Sequence, residues 1–138
     1  MALDVGSKRI GIAVSDPSAT FALPVATIGR TNRRDDLARI KDLADSYGIL
    51  ELVVGDPLTL AGERGIAARE MDAFVEKLRE VFPGTIHRVD ERLTTAQATK
   101  SLIAADVSRQ KRRTMVDRMA AALILESFLA RRRNEPST

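Results

Sequence analysis

Leu3-Asp4-Val5-Gly6-Ser7-Lys8-Arg9-Ile10-Gly11-Ile12-Ala13-Val14-Ser15-Asp16 reads as two strands around a turn. Apolar Leu3 and Val5 bracket Asp4, Gly6 to Arg9 carries turn chemistry, and Ile10, Ile12, Ala13 and Val14 run apolar again, which is a β-hairpin pattern. A carboxylate inside such a strand loses its water, at a large cost unless a cation or hydrogen bonds compensate. Asp4 therefore needs a partner. An isolated Asp-x-Gly is most simply a structural acid satisfied by the amides of its turn. Two further acids in similarly costly positions, Glu91 and Asp117, change that balance.

Outward from the hairpin, Asp16-Pro17-Ser18 marks a turn, and Ala22 to Ile28 reads as an edge strand interrupted by Pro24, completing an antiparallel meander. Asn32 can cap a helix whose Leu37, Ile40, Leu43, Ala44 and Tyr47 follow helical spacing until Gly48, with Asp35 and Asp36 in the favourable first turn. Ile49 to Val54 is an apolar run broken only by Glu51, which predicts a buried parallel strand ending in Gly55-Asp56-Pro57. A second helix from about Glu63 carries Ala67, Met71, Phe74, Val75, Leu78 and Phe82 on one stripe before Pro83-Gly84, and Ile86 to Asp90 forms a fifth strand. Thr94 and Gln97 have capping-box spacing and open a third helix through Ala98, Leu102 and Ala105. The segment from Asp106 to Arg113 is basic and lacks apolar periodicity, so it reads as a mobile loop. Thr114 then caps a last helix with Val116, Ala120, Leu123, Ile124 and Phe128 as its core stripe. The order β-β-β-α-β-α-β-α-α predicts an α/β fold, a mixed five-stranded sheet with helices on both faces, in one domain spanning residues 1–138.

Composition narrows the classes. The 138 residues, 44% hydrophobic and 30% charged, suit a globular domain with a proper core, and no apolar run approaches the roughly 20 residues that cross a bilayer. The absence of cysteine excludes disulfides and thiolate metal sites and fits a reducing cytoplasm. Net charge is only +3, but Arg109, Lys111, Arg112, Arg113, Arg118 and Arg131 to Arg133 face only Asp117 and Glu126 across the last segment. That imbalance favours a phosphate backbone, although Arg131 to Arg133 alone would make an ordinary solvated tail to the chain end.

The ends of the fourth and fifth strands, at Gly55-Asp56-Pro57-Leu58-Thr59 and Asp90-Glu91-Arg92-Leu93-Thr94, lie where ligands collect in open α/β sheets. If the strand carrying Asp4 pairs beside them, Asp4, Glu91 and Asp117 can share one pocket. Taken singly, Glu91 could complement its helix dipole, Asp117 could be a first-turn acid, and Arg92 could pair with either. Three acids without His or Cys partners instead select an oxygen-loving cation, Mg²⁺ or Mn²⁺, over zinc. Two such ions about 4 Å apart promote in-line attack of water on a phosphodiester. Asp4 is then the bridging ligand and Glu91 and Asp117 complete the two shells. Lys8, Arg9, Arg92 and Thr94 lie where substrate phosphate would sit, and Arg109, Lys111, Arg112 and Arg113 supply further substrate contacts.

Four segments together, L-D-V-G-S-K-R-I-G-I-A-V-S-D, G-D-P-L-T-L-A-G, V-D-E-R-L-T-T and K-R-R-T-M-V-D-R-M-A-A-A-L-I-L, closely resemble the YqgF family, also called RuvX. The resemblance covers nearly the whole chain in order and spacing. It implies a ribonuclease-H-like fold, metal-dependent nuclease activity on pre-16S ribosomal RNA at its 5′ end or on Holliday junctions, and Asp4, Glu91 and Asp117 as the acidic triad. The chain departs from the family in having only Met1-Ala2-Leu3 ahead of Asp4, which would loosen the site, and in Asp56, expected to face solvent, where the family places an apolar residue.

Two other classes compete. An actin- or hexokinase-like phosphotransferase shares a D-x-G-[ST] phosphate hairpin but encloses ATP between two domains, more than this length supplies. A noncatalytic RNA-binding module of the same fold would typically lack the acids retained here. The expected partner is nucleic acid, with no membrane partner, and the chain would act as a monomer or a homodimer. One tyrosine and four phenylalanines offer no base-stacking platform, and His87 alternates away from the acid end of its strand as a structural or surface residue.

Overall fold

In the computed structural model, residues 1–19, 21–56, 65–90 and 109–134 are described, the last segment for its backbone alone at 109–118 and 134. Eight elements follow in order: β1 (Ala2–Val5), β2 (Arg9–Ser15), β3 (Ala22–Gly29), α1 (Arg33–Ser46), β4 (Glu51–Asp56), α2 (Ile66–Val81), β5 (Thr85–Asp90) and α3 (Arg109–Asn134). The strands form one sheet in the order β3-β2-β1-β4-β5. Its first three members are antiparallel and β1, β4 and β5 run parallel, as the hairpin and crossover patterns predict. The third helix expected from Thr94 to Ala105 lies outside the described residues.

Alternation along the strands divides the core into two layers. Leu3, Ile10, Ile12, Leu52, Val54 and Ile86 turn to one face and pack with Leu37, Ile40 and Ala44 of α1 and Met71, Phe74, Val75 and Leu78 of α2. Ala2, Ala13, Val53 and Val89 turn to the other face and meet Ala121, Ile124, Leu125 and Leu129 of α3. The buried positions sit slightly differently from the expected stripes. Ala68 rather than Ala67 is buried, and Leu125 and Leu129 lie deeper than Leu123 and Phe128. β1 is only four residues long, yet it is hydrogen-bonded on both sides and Ala2 and Leu3 are fully buried, so its brevity does not leave it loose.

Local chemistry accounts for the ends of α1. The Asn32 side chain accepts from the Asp35 amide at 2.9 Å, and Gly48 adopts a left-handed φ of +64° where the helix stops. The start of α3 differs from the sequence expectation. Arg109, Lys111, Arg112 and Arg113 are helical rather than a loop, and Thr114 is an interior residue rather than a cap. Arg, Gln and Lys are good helix formers, and a charged turn shows no apolar period whether it is helical or not. Asp117 therefore lies roughly two turns inside α3, too far from its first turn for a helix-dipole role. The last turn extends through Arg131 to Arg133, so the basic tail is helical at least to Asn134.

Asp36, legible only as a first-turn acid, is buried at 1% exposure. It accepts from Arg30 Nε at 3.3 Å and from the Thr31 amide at 3.1 Å. Arg30 also donates to the Gly6 carbonyl at 2.8 Å and lies 5.5 Å above the Phe74 ring. This clamp ties the turn after β1 to α1 and α2. Replacing Asp36 by Ala leaves a guanidinium and an amide without their acceptor, and should lower unfolding stability by about 2–3 kcal/mol in urea titration. Lys41→Ala, which removes only the exposed Lys41–Asp45 pair, should leave the midpoint nearly unchanged.

Candidate functional site

The parallel strands β1, β4 and β5 deliver their carboxyl ends to one edge of the sheet, and the start of β2 arrives beside them. Asp4 is the third residue of β1 and pairs with Gly11 of β2. Because Ala2 and Ala13 belong to the layer under α3, Asp4, two residues further along, projects to that same face. On the other side of β1, the pair Leu3 and Val54 is followed in β4 by Gly55. The half-buried carboxylate thus rises from a floor with no side chain on either neighbouring strand. Glycine within strands often marks a close approach by a ligand or by another backbone. Gly6 closes the adjacent turn by donating to the Arg9 carbonyl at 2.8 Å, an oxygen that a Cβ at Gly6 would approach to 2.9 Å.

The helix opposite is set close to the sheet by small residues. Ala120 and Ala121 are fully buried against a surface that includes Ala2 and Ala13. Asp117 precedes Ala121 by one helical turn of α3. Arg9, the first residue of β2, alternates with Gly11 and Ala13 and so belongs to the α3 face as well. Lys8 is exposed at the tip of the turn. Arg109, Lys111, Arg112 and Arg113 occupy the opening turns of α3. Glu91, Arg92 and Thr94 lie outside the described residues, beginning immediately after β5 ends at Asp90. Among the described residues no three His, Asp or Glu side chains gather as a metal cluster.

Two charged networks escaped sequence reasoning. Asp56 does not face solvent: it accepts from Arg88 Nη2 at 2.9 Å on the face that carries α2, and the other arm of Arg88 donates to Asp72 at 2.5 Å. Its side chain is 13% exposed and lies across the sheet from Asp4, so it belongs to neither water nor the acid site. At the far end of the sheet Glu51 accepts two hydrogen bonds from Arg132, at 2.8 and 2.9 Å, and shares a 3.1 Å contact with His87 Nε2. His87 rests against the Phe128 ring at 4.7 Å, a structural role as its strand position predicts, and Arg132 covers the same ring at 4.5 Å. The available signal was a charged residue set among apolar ones, Glu51 ahead of Leu52-Val53-Val54 in β4 and Arg88 ahead of Val89 in β5.

The sequence profile of the RuvX family, described as Holliday junction resolvase, matches residues 1–131. The chain belongs to the RuvX family. Its relatives include a protein of Desulforudis audaxviator, 41% identical over all of this chain and 98% of its own length, and one of Moorella thermoacetica, 44% identical over 95% of this chain and 94% of its own. Both bear the name "Putative pre-16S rRNA nuclease". Among solved structures, RuvC of T. thermophilus in complex with a Holliday junction substrate superposes with a TM-score of 0.55 over 94% of this chain and 93% of that one. At 14% identity that likeness establishes the ribonuclease-H-like fold. RuvX membership accounts for the order of the four motif segments, and the fold explains why Asp4 stands on a central strand.

The Arg132 hydrogen bonds, aided by His87, hold Glu51 down to a pKa of about 2, against a smaller opposing effect of burial. A depressed acid stabilises the folded state fully above its ordinary value and loses that contribution as pH falls toward the folded value. Between pH 4.5 and 2 the parent should therefore lose more thermal stability than Glu51→Gln. The difference should stay below about 1 kcal/mol, because the pair is well exposed to solvent screening.

Proposed function

We propose that this chain is a metal-dependent nuclease that cleaves phosphodiester bonds in structured nucleic acid, and that its physiological reaction is 5′-end processing of pre-16S rRNA in the cytoplasm. The observation that carries the reading is the half-buried carboxylate of Asp4 on a glycine floor beneath a helix held close by alanines.

Glu91 and Asp117 are the further members of the proposed acidic set, and His87 and Val89 give the α3 face of β5 just ahead of Glu91 in sequence. Asp4 lies two strand residues beyond Ala2, and Asp117 one helical turn before Ala121, the two alanines belonging to one core layer, which supports counting both acids in the set. The donor set is oxygen only, which fits Mg²⁺ or Mn²⁺ and not zinc. Asp4, Glu91 and Asp117 would hold the metal. When bound, such ions lower the pKa of a coordinated water and offset charge on the departing oxygen.

The chain's own cations do the rest. Arg9 on the α3 face and Lys8 at the turn tip flank Asp4 and can fix a phosphate beside it. Arg92, Thr94 and the opening turns of α3, with Arg109, Lys111, Arg112 and Arg113, extend the phosphate contacts. Trimming one strand needs a single site, so a monomer suffices, whereas symmetric cuts across a four-way junction need a homodimer.

Purified protein with Mg²⁺ or Mn²⁺ should cleave a precursor rRNA fragment, and a four-way DNA junction offered in parallel tests resolvase activity as the alternative. Asp4→Asn, Glu91→Gln and Asp117→Asn should each lower the rate at least about 100-fold with thermal stability retained, as should removal of the metal by chelation. Full activity in Asp4→Asn would remove this reading. Replacing Arg112 and Arg113 by Ala should flatten the dependence of log K on log salt by about 0.7–0.9 for each phosphate these side chains neutralise.

A further inference from the structure

The strand that leads to Glu91 is the outermost of the sheet. Among the described residues β5 pairs with β4 alone, so its far end has a strand neighbour on one side, with Val89 packed under α3 and Asp90 exposed. The end of β4 is little better supported. Its pairing with β1 runs through Ala2–Val53 and Leu3–Val54, and beyond Val54 its last two residues, Gly55 and Asp56, are in register with Val89 and Asp90 of β5. Strand ends with few neighbours are where a sheet opens first. These two ends adjoin the candidate site: Gly55 comes level with Asp4 on the neighbouring strand, and Glu91 follows Asp90 in the sequence.

One side chain ties both ends down. Arg88 stands two residues before the end of β5, on the face that carries α2. One arm of its guanidinium donates to Asp56 at 2.9 Å, crossing to the last residue of β4, and the other donates to Asp72 of α2. The bridge to Asp56 is shielded, with the Arg88 side chain 23% and the Asp56 side chain 13% exposed, so solvent screens it far less than a surface pair. The Nε of Arg88 is buried with no hydrogen-bond partner among the described residues. An orphaned donor costs stability, so the guanidinium sits where the two carboxylates set it and not where every donor is met. Its planar fork makes the bridge directional, which the point charge of a lysine would not. Asp56 in turn precedes Pro57, which favours an extended backbone at Asp56.

We propose that Arg88 is a positioning residue of the nuclease site: forked between Asp56 and Asp72, it fixes the end of β5, which runs on to Glu91, against the end of β4, whose Gly55 lies beside Asp4. The assignment rests on the reading that Asp4 and Glu91 hold the metal. It deepens that reading by naming what sets the spacing of their strands from the opposite face of the sheet. Loss of a residue that orients metal ligands without touching the metal typically costs about 10–100-fold in metal affinity.

The test uses the full chain and two readouts that need no cleavage. Amide hydrogen exchange without metal follows the end of β5, and electron paramagnetic resonance of free Mn²⁺ gives the affinity for the ion. In Arg88→Met, which keeps the bulk of the stem, the amides of Val89 and Asp90 should exchange at least about tenfold faster, and Mn²⁺ should bind at least about tenfold more weakly. Leu78→Ala, which opens a cavity in the fully buried core under α2, should lower the melting temperature by a similar amount or more. It should nevertheless change exchange at Val89 and Asp90, and Mn²⁺ affinity, by less than about threefold. Adding Asp56→Leu to Arg88→Met removes the carboxylate left without that donor and should recover melting temperature, with Mn²⁺ affinity still weak. Parental exchange or parental Mn²⁺ affinity in Arg88→Met, equal effects in Leu78→Ala, or full recovery of Mn²⁺ binding in the Asp56/Arg88 variant overturns the proposal. If Asp4→Asn loses the ion while Arg88→Met keeps it, only the role of Arg88 falls. If Asp4→Asn binds Mn²⁺ as tightly as the parent, the assignment of the metal site falls instead, and the role of Arg88 there with it.

Discussion

The separation between α3 and the sheet governs what this end of the molecule can do. Ala2 and Ala13 on the strands face Ala120, Ala121 and Ala122 on the helix, and a layer of methyl groups lets the two backbones approach closely. Larger side chains there would lift the helix from the sheet, and its upper turns would move away with it. Further down, Ile124, Leu125 and Leu129 fill the wider space toward the opposite end, where Arg132 is held by Glu51 and by the Phe128 ring. The helix is thus anchored at its carboxyl end and drawn in at its middle. Residues ahead of Ala120 inherit their height and angle from those two constraints.

Charges inside the fold are arranged by face. On the side of α1 and α2, Arg30 and Arg88 each reach two partners, joining a helix to a strand end or a turn. On the side of α3, the acid at the carboxyl edge of the sheet has glycine on both neighbouring strands, while the acid at the other edge, Glu51, is closed off by Arg132 and His87. The same sheet therefore carries an acid near each end of its parallel strands, set in different surroundings.

The hairpin, the parallel strands and the two-layer core were legible in the sequence because alternation and turn chemistry act locally. The beginning of α3 was not, since a helical turn covered in Arg, Lys and Gln has no apolar stripe to reveal it. The partners of Asp36 and Asp56 went unseen for a different reason. Their partners, Arg30 and Arg88, are six and thirty-two residues distant, and only the folded chain brings them together. At the candidate site, Asp4 could be singled out from its own strand by the cost of desolvating it. The meaning of Gly11 and Gly55 appears only when β2 and β4 are laid on either side of β1.

β3 closes the sheet with Pro24 opposite Ala13, beside a register shift that breaks the ladder near Ile12. A proline offers no amide hydrogen, and the shift throws the remaining donors out of an even row. Molecules crowded edge to edge therefore find no template along this margin on which to stack into fibres, and the meander acts as a terminus to the sheet rather than a seam.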